Sequence, residues 1–409
     1  MLTPNATTQP RVVVTHALRT PIARFLGSFA DLSAADIGTA VVAELLGRAR
    51  AASNGADLPI GEVFFGNGRQ AGGGPNVARQ VSVRAGIPQE VPATTINMAC
   101  GSGLKSLALG ADSIRLGRNQ AVVAGGTESM SGLPFMLPRM RRGYRLGHAE
   151  LTDGMYKDGF MCPLADMVMG DTAENLAREL DIGRDEQDAF ALKSQHNAQA
   201  AIEAGRFADE IVPVELPGKR GKPGVVITAD EHPRADSTLA GLAKLRPVFG
   251  GADGTVTAGN SSGITDGASA VMLMSEELCA RLGLEPLAYV GETRQAGVDP
   301  KIMGVGPVPA VRSLEQANGL GVGDYDLIEL NEAFAAQVIA CDRELELPPE
   351  RLNVNGGSIA LGHPIGGTGT RIVTTLLHEM RRRGSAHGLA TLCISGGMGL
   401  ATAFHSSAP

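Results

Sequence analysis

The sequence predicts an α/β fold built from two related halves, with an insertion in the first. Three observations point to it. Short apolar runs of strand length alternate with amphipathic stretches of helical period. Glycine, 54 of 409 residues, clusters at the junctions between them. The succession of strand, glycine turn, helix, strand and glycine pair occurs around residue 100 and again around residue 363. A chain of 409 residues also exceeds what one hydrophobic core usually organises.

In the first half, Glu62-Val63-Phe64-Phe65-Gly66-Asn67-Gly68 reads as a strand, and Thr94 to Met98 as another that runs into Cys100-Gly101-Ser102-Gly103. The next helix carries Leu104, Leu107, Ala108, Ala111 and Ile114 at helical spacing, and Gly117 is placed to end it. Ala121 to Ala124 is a buried strand opening into Gly125-Gly126-Thr127. In the second half, Asp326 to Asn331 repeats the strand. Asn353 to Leu361 then leads into Gly362-His363-Pro364, with Pro364 suited to a first helical position. Ile372, Val373, Leu376, Leu377 and Met380 form the inner face of a helix that ends in Arg381-Arg382-Arg383-Gly384. Strand Leu389 to Cys393 opens into Gly396-Gly397. Cys100 and His363 therefore hold equivalent places, each at the N-terminal end of a helix fed by a strand. Between Met130 and about Gly170 the periodicity fades, as in a lid, a binding surface or a subunit contact. A helix is expected from Asp171-Thr172-Ala173-Glu174-Asn175, and Pro213 to Arg234 reads as irregular and exposed.

Hydrophobic residues at 43% and charged residues at 19%, with 4% aromatic, describe a globular protein packed on aliphatic side chains. No apolar run approaches a membrane span, Met1 to Pro10 lack a signal pattern, and His405-Ser406-Ser407-Ala408-Pro409 matches no targeting address. A cytoplasmic location is the expectation. The net charge of −7 argues against nucleic-acid binding. Arg139, Arg141, Arg142 and Arg145 form a local basic cluster, suited to a solvated loop, an anionic ligand or a subunit contact. Cys100, Cys162, Cys279, Cys341 and Cys393 are odd in number and contain no CxxC pair, so neither zinc nor a disulfide framework is indicated.

A thiol becomes a useful nucleophile when its thiolate is stabilised, and a helix N-terminus beside a histidine can do that. Cys100 has the helix position, and the Gly101-Ser102-Gly103 turn would offer N–H groups to an oxyanion. An inert buried cysteine at a strand end is the alternative. His363 places a polar ring in a glycine-rich apolar turn, where a satisfied core histidine is the bland possibility. Cys393 ends a strand on the side where α/β sheets place ligands, a position suited to acid/base work. Asn331-Glu332-Ala333-Phe334-Ala335 supplies an amide that could hold a water or a carbonyl oxygen, or simply cap a helix.

The sequence resembles the thiolase family over nearly its whole length. The matching segments, in the family's order, are Arg19-Thr20-Pro21-Ile22, Asn97-Met98-Ala99-Cys100-Gly101-Ser102-Gly103, Gly125-Gly126-Thr127-Glu128-Ser129-Met130, Gly259 to Ala268, Asn331-Glu332-Ala333-Phe334-Ala335, and Asn355-Gly356-Gly357 through His363. The resemblance implies a thiolase fold, with two βαβαβαββ halves in a five-layered αβαβα core and an inserted loop domain. The expected division is 1–129 for the first part of the N-terminal half, 130–249 for a loop domain serving coenzyme A and oligomer contacts, 250–284 for the last part of that half, and 285–409 for the C-terminal half.

By the same resemblance, Cys100 is the acylated nucleophile, His363 activates it, and Cys393 abstracts or returns the α-proton of the acetyl unit. His363 and a water held by Asn331 would bind the enolate oxygen, and the backbone N–H groups of Cys100 and Ser395 the acyl-enzyme carbonyl. Relatives commonly carry Gly where Ser395 stands, so the N–H is kept while the site narrows. Coenzyme A would lie along Ser262 and Ala258, with Arg234 near the adenine end and Met169, Phe249, Met303, Ala333 and Phe334 lining the pantetheine and acyl path. Implied partners are CoA and acyl-CoA, with no metal, no organic cofactor beyond the CoA substrate, no nucleic acid and no membrane. A homodimer or homotetramer is implied, the latter through the Arg139 to Arg145 loop.

The expected reaction is reversible Claisen condensation of two acetyl-CoA, or CoA-dependent thiolysis of a 3-ketoacyl-CoA. Val168 stands where acetoacetyl-specific relatives usually have His, whereas Asp153 to Phe160 resembles the biosynthetic type. Acetyl-CoA C-acetyltransferase is therefore the expectation. A broad-chain degradative 3-ketoacyl-CoA thiolase is the alternative, and a non-catalytic acyl-CoA-binding protein a second.

Overall fold

The computed structural model describes residues 9–218 and 223–408. Expectations drawn on residues 1–8, on residues 219–222 within the Pro213 to Arg234 stretch, and on Pro409 lie outside the described residues. The first half comprises β1 (Val12–Arg19), α1 (Ala34–Ala52), β2 (Ile60–Gly66), α2 (Val77–Arg84), β3 (Ala93–Ile96), α3 (Ser102–Arg115) and β4 (Ala121–Glu128). An insertion containing α4 (Met169–Glu179) and α5 (Arg184–Glu203) separates these from β5 (Thr265–Ser275). The second half comprises β6 (Ala288–Gly297), α6 (Pro307–Asn318), β7 (Leu327–Leu330), α7 (Ala335–Leu345), α8 (Ile365–Arg383), β8 (His387–Ile394) and β9 (Met398–His405).

Strand order shows the duplication directly. The first half runs β3-β2-β4-β5-β1 and the second runs β7-β8-β9-β6, with a parallel bridge from Ile328 to Leu352 standing in for the missing third strand. In both halves the β2-like strand is parallel to its neighbours and the last two pairings are antiparallel. Two residue pairs, Val13 with Tyr289 and Val14 with Ala288, join the two sheets.

Three aliphatic cores separate five layers. One fills the space between α1, α2 and the first sheet, with Ile37, Val41, Leu45, Val63 and Phe65. The second surrounds α3 and α8 between the sheets, with Leu104, Leu107, Ile372 and Leu376. The third lies under α6 and α7, with Val311, Leu314, Ile328 and Val338. Because β4 is covered on both faces, all eight of its residues are buried, and it reads as a continuous apolar and glycine run rather than an alternation. Inside the middle layer, α3 and α8 approach at glycines. A Cβ on Gly369 would sit 2.1 Å from the Leu104 nitrogen, and one on Gly103 2.9 Å from the Thr370 nitrogen.

Several expectations are corrected. Pro364 is the N-cap residue of α8, not its first helical residue, with ψ of 93°. The helix expected from Asp171 starts at Met169. The stretch from Pro213 to Arg234 is not wholly irregular and exposed. Val214–Leu216 pairs with Val225–Ile227, and the chain then returns so that Asp230 reaches buried Arg19 at 2.7 Å. A buried guanidinium needs such a partner, and Glu210 supplies a second at 2.6 Å. Helix α5 gave no apolar period because its buried face is Ala191, Ser194, Gln195, Ala198 and Ala201. Among the described residues, no helix is long and apolar enough to cross a membrane.

Candidate active site

Cys100 stands two residues before the first residue of α3, and His363 two before the first residue of α8. The cysteine is delivered by Ala99, which adopts φ of 45°, a left-handed conformation costly for a residue with a Cβ. Side chains hold that turn. Asn97 Oδ1 accepts from the Ala99 nitrogen at 3.0 Å, while Ser102 Oγ accepts from the Met98 nitrogen at 2.9 Å and donates to the Ala99 oxygen at 2.7 Å.

The tautomer of His363 follows from its neighbours. Thr368 Oγ1 donates to the Pro364 oxygen at 3.0 Å, so toward His363 it accepts, and Nδ1–H is the donor at 2.6 Å. The lone pair is left on Nε2, which is buried and has no partner among the described residues. Burial pushes the imidazole down to about 3, and the charges on Arg371 and Arg69 push the same way. His363 is therefore neutral and free to accept a proton.

Burial also pushes the Cys100 thiol up, against the pull of Arg69 and of the backbone N–H groups of Ser395 and Cys100. Cys100 is therefore a neutral thiol and His363 a neutral imidazole. Deprotonation then belongs to the moment of attack. The N–H groups acting on the sulfur are the same two expected to hold the acyl oxyanion.

Asn331 does not cap a helix, since α7 begins at Ala335 with Phe334 as its N-cap. Instead a buried chain fixes its amide. Arg371 Nη2, which can only donate, reaches Ser358 Oγ at 3.0 Å, so Ser358 donates its own hydrogen to Asn331 Oδ1 at 2.6 Å. Asn331 Nδ2 is left buried without a partner among the described residues. Glu329 lies 3.6 Å from Arg371 and is pushed up to about 8 by burial. Cys393 is fully buried against Met303 and Ala333, and burial together with Cys100 raises its thiol well above the usual range.

A cavity of about 500 Å³ is lined by Cys100, His363 and Ser395 and by all eight residues expected to bind coenzyme A. Arg234 and Ala258 are exposed while Met303 and Ala333 are buried, so the set runs from surface to interior. Asn331 and Cys393 lie behind this lining, not on it. The Arg139 to Arg145 cluster is exposed and does not line the cavity. Among the described residues, no group of three or more His, Cys, Asp or Glu side chains is placed to hold a metal.

Sequence reasoning missed Arg69, Glu128, Thr368 and Ser358. Glu128 lay inside a quoted motif yet offered no reason to be singled out. It accepts from Asn67 Nδ2 and the nitrogens of Gly68, Arg69 and Gly366, at 2.8 to 3.1 Å, and so ties the end of β4 to the first turn of α8. Burial pushes this carboxyl up to about 7, with Arg69 and the N–H donors pulling it back.

Comparison with known proteins agrees with this architecture. Residues 12–277 match the model of the thiolase N-terminal domain and residues 284–406 that of the thiolase C-terminal domain. The chain is 51% identical to an acetyl-CoA acetyltransferase of Pseudomonas aeruginosa, over 95% of this chain and 98% of that protein. It is 49% identical to one of Escherichia coli, over 95% and 97%. The crystal structure of the Bacillus anthracis acetyl-CoA acetyltransferase superposes with a TM-score of 0.93 at 43% identity, covering 97% of this chain and 99% of that one. Human mitochondrial 3-ketoacyl-CoA thiolase in complex with CoA gives 0.91 at 41%, covering 98% of each. With both halves matched in order and Cys100 and His363 each two residues ahead of a helix, the chain belongs to the thiolase family.

Proposed function

We propose that this protein is an acetyl-CoA C-acetyltransferase working through an acyl-enzyme on Cys100. The observation that carries the reading is that His363 Nε2 and Asn331 Nδ2, an acceptor and a donor at the site of the Cys100 thiol, are both among the buried polar atoms with no partner among the described residues. The Cys100 thiol gives its proton to Nε2 as the sulfur attacks the thioester carbonyl, and the N–H groups of Cys100 and Ser395 hold the oxyanion. The departing CoA thiolate takes the proton of Cys393. A thiol that holds its proton tightly becomes a strong base once it is lost, which suits Cys393 to remove the α-proton of a second acetyl-CoA. Protonated His363 and a water on Asn331 Nδ2 hold the enolate oxygen. The enolate carbon attacks the acetyl group, and Cys100 leaves, recovering its proton from His363.

The CoA complex of the human relative supports a CoA site along the exposed-to-buried series from Arg234 to Met303. The cytoplasmic location and a homotetramer belong to the same proposal. Exposed Met140, Leu146 and Leu151 around the arginine cluster support a subunit contact there. A broad-chain 3-ketoacyl-CoA thiolase is the second reading, favoured by Val168 among the apolar cavity lining. CoA-dependent cleavage of acetoacetyl-CoA and 3-ketooctanoyl-CoA by the purified protein separates the two. Activity on acetoacetyl-CoA alone supports the acetyltransferase, comparable activity on both supports the second reading, and silence on both contradicts each.

A further inference from the structure

Arg69 stands in the wall of the cavity that holds Cys100, and none of the steps above uses it. It lies three residues beyond β2 and is 7% exposed. Its guanidinium is tied to two backbone carbonyls, Nη1 to the Gly68 oxygen at 3.1 Å and Nη2 to the Gly159 oxygen at 2.9 Å. Nε is buried without a partner among the described residues. A Cβ on Gly159 would sit 3.1 Å from that Nε, so the glycine leaves room for the guanidinium.

Arg69 forms no ion pair among the described residues. Glu128, the carboxylate that bears on it, accepts from the backbone N–H of Arg69 and not from its guanidinium, with its remaining bonds to Asn67, Gly68 and Gly366. A buried cation held by carbonyls and by a carboxyl that burial pushes up to about 7 is costly, and what offsets the cost is negative charge formed nearby. The candidate, Cys100, lines the same cavity. Gly68 oxygen also accepts from Asn97 Nδ2 at 3.2 Å, and Asn97 holds the nitrogen of Ala99, the residue before Cys100. The guanidinium is thus locked to the turn that presents the nucleophile.

We propose that Arg69 is a positioning residue for charge, a fixed cation that favours the Cys100 thiolate and the negative adduct formed on it. The inference rests on Cys100 being the nucleophile. Of the influences on that thiol, Arg69 is the strongest opposing burial. The same charge disfavours a proton on His363. Arg69 therefore offsets the cost of charge on the sulfur, and the imidazolium that it disfavours gives its proton back when Cys100 leaves.

The test is the pH dependence of Cys100 alkylation by iodoacetamide, read at the Cys100 peptide, in full-length wild type, Arg69→Met and Arg69→Lys. Acetylation of wild-type Cys100 by acetyl-CoA is measured alongside. Loss of the cation should raise the alkylation midpoint by about one pH unit and slow the reaction roughly tenfold at neutral pH, with Arg69→Lys near wild type. Arg69→Gln serves if the methionine variant does not fold. An unmoved midpoint, or slowing by one factor at every pH, means that Arg69 is only a clamp between Gly68 and Gly159 and overturns the proposal. If wild-type Cys100 is not acetylated, the nucleophile reading fails as well; if it is acetylated and the midpoint is unmoved, the role of Arg69 alone fails.

Discussion

Cys100 and His363 occupy the same offset, two residues ahead of α3 and α8, and those helices meet glycine to backbone between the two sheets. A duplicated frame thereby supplies the nucleophile from one half and the base from the other. The seam between the halves is backbone against backbone at the site. A Cβ on Gly126 would fall 1.9 Å from the Gly366 oxygen, in the first turn of α8.

Gly126→Ala should therefore force β4 and α8 apart. The expected cost is about 1–3 kcal/mol of stability, as for overpacking elsewhere, with a proportionally larger loss of activity because His363 moves with α8. Urea denaturation and turnover on the same preparation check both parts.

Thr368→Val should leave His363 in place but remove the acceptor that keeps hydrogen on Nδ1. Turnover is expected to fall toward about 100-fold, the scale of general-base catalysis, with KM little changed. Thr368→Ser, which keeps the hydroxyl, should recover most of it. Equal turnover in all three proteins would contradict the assigned tautomer.

Stability should respond to His363 as pH falls. Its pKa is about 3 in the folded protein against an ordinary 6.5, so the unfolded chain takes the proton first. The stabilisation is complete above pH 6.5 and is lost as pH drops toward 3. At pH 5 the loss is about 2 kcal/mol. Glu128 acts in the opposite sense, its contribution fading as pH rises from 4.5 to about 7. Denaturation midpoints of wild type and His363→Gln at pH 7.5 and 5 isolate the histidine, since Glu128 is common to both. An equal change in the two proteins would contradict a buried neutral His363.

The duplication, the two helix starts and the residues Cys100, His363 and Cys393 were legible because each sits beside glycine turns that interrupt apolar periodicity, whereas Asn331, with no glycine near it, was placed by family resemblance. All eight residues expected to bind coenzyme A reach the cavity, but they were placed by family resemblance, since sequence spacing alone does not bring Met169 and Met303 together. Helix α5 escaped because alanine and polar residues form its buried face. Arg69, Glu128, Ser358 and Thr368 escaped because their roles depend on partners far along the chain or on hydrogen-bond direction. Glu128 meets Gly366 across 238 positions. Only the obligate donors of Arg371 reveal which way Ser358 and Asn331 point.

Cys393→Ala should still be acetylated at Cys100 by acetyl-CoA but form no acetoacetyl-CoA, because no base remains for the α-proton. Product analysis by chromatography checks it. Full condensation activity in this variant would overturn the role given to Cys393.

The most direct test of the account is whole-protein mass spectrometry of the wild type and Cys100→Ala after brief exposure to acetyl-CoA, with peptide mapping of the adduct. One acetyl group on Cys100 in the wild type, and none in Cys100→Ala, is the predicted result. Acetylation that persists in Cys100→Ala with turnover intact would contradict the acyl-enzyme on Cys100.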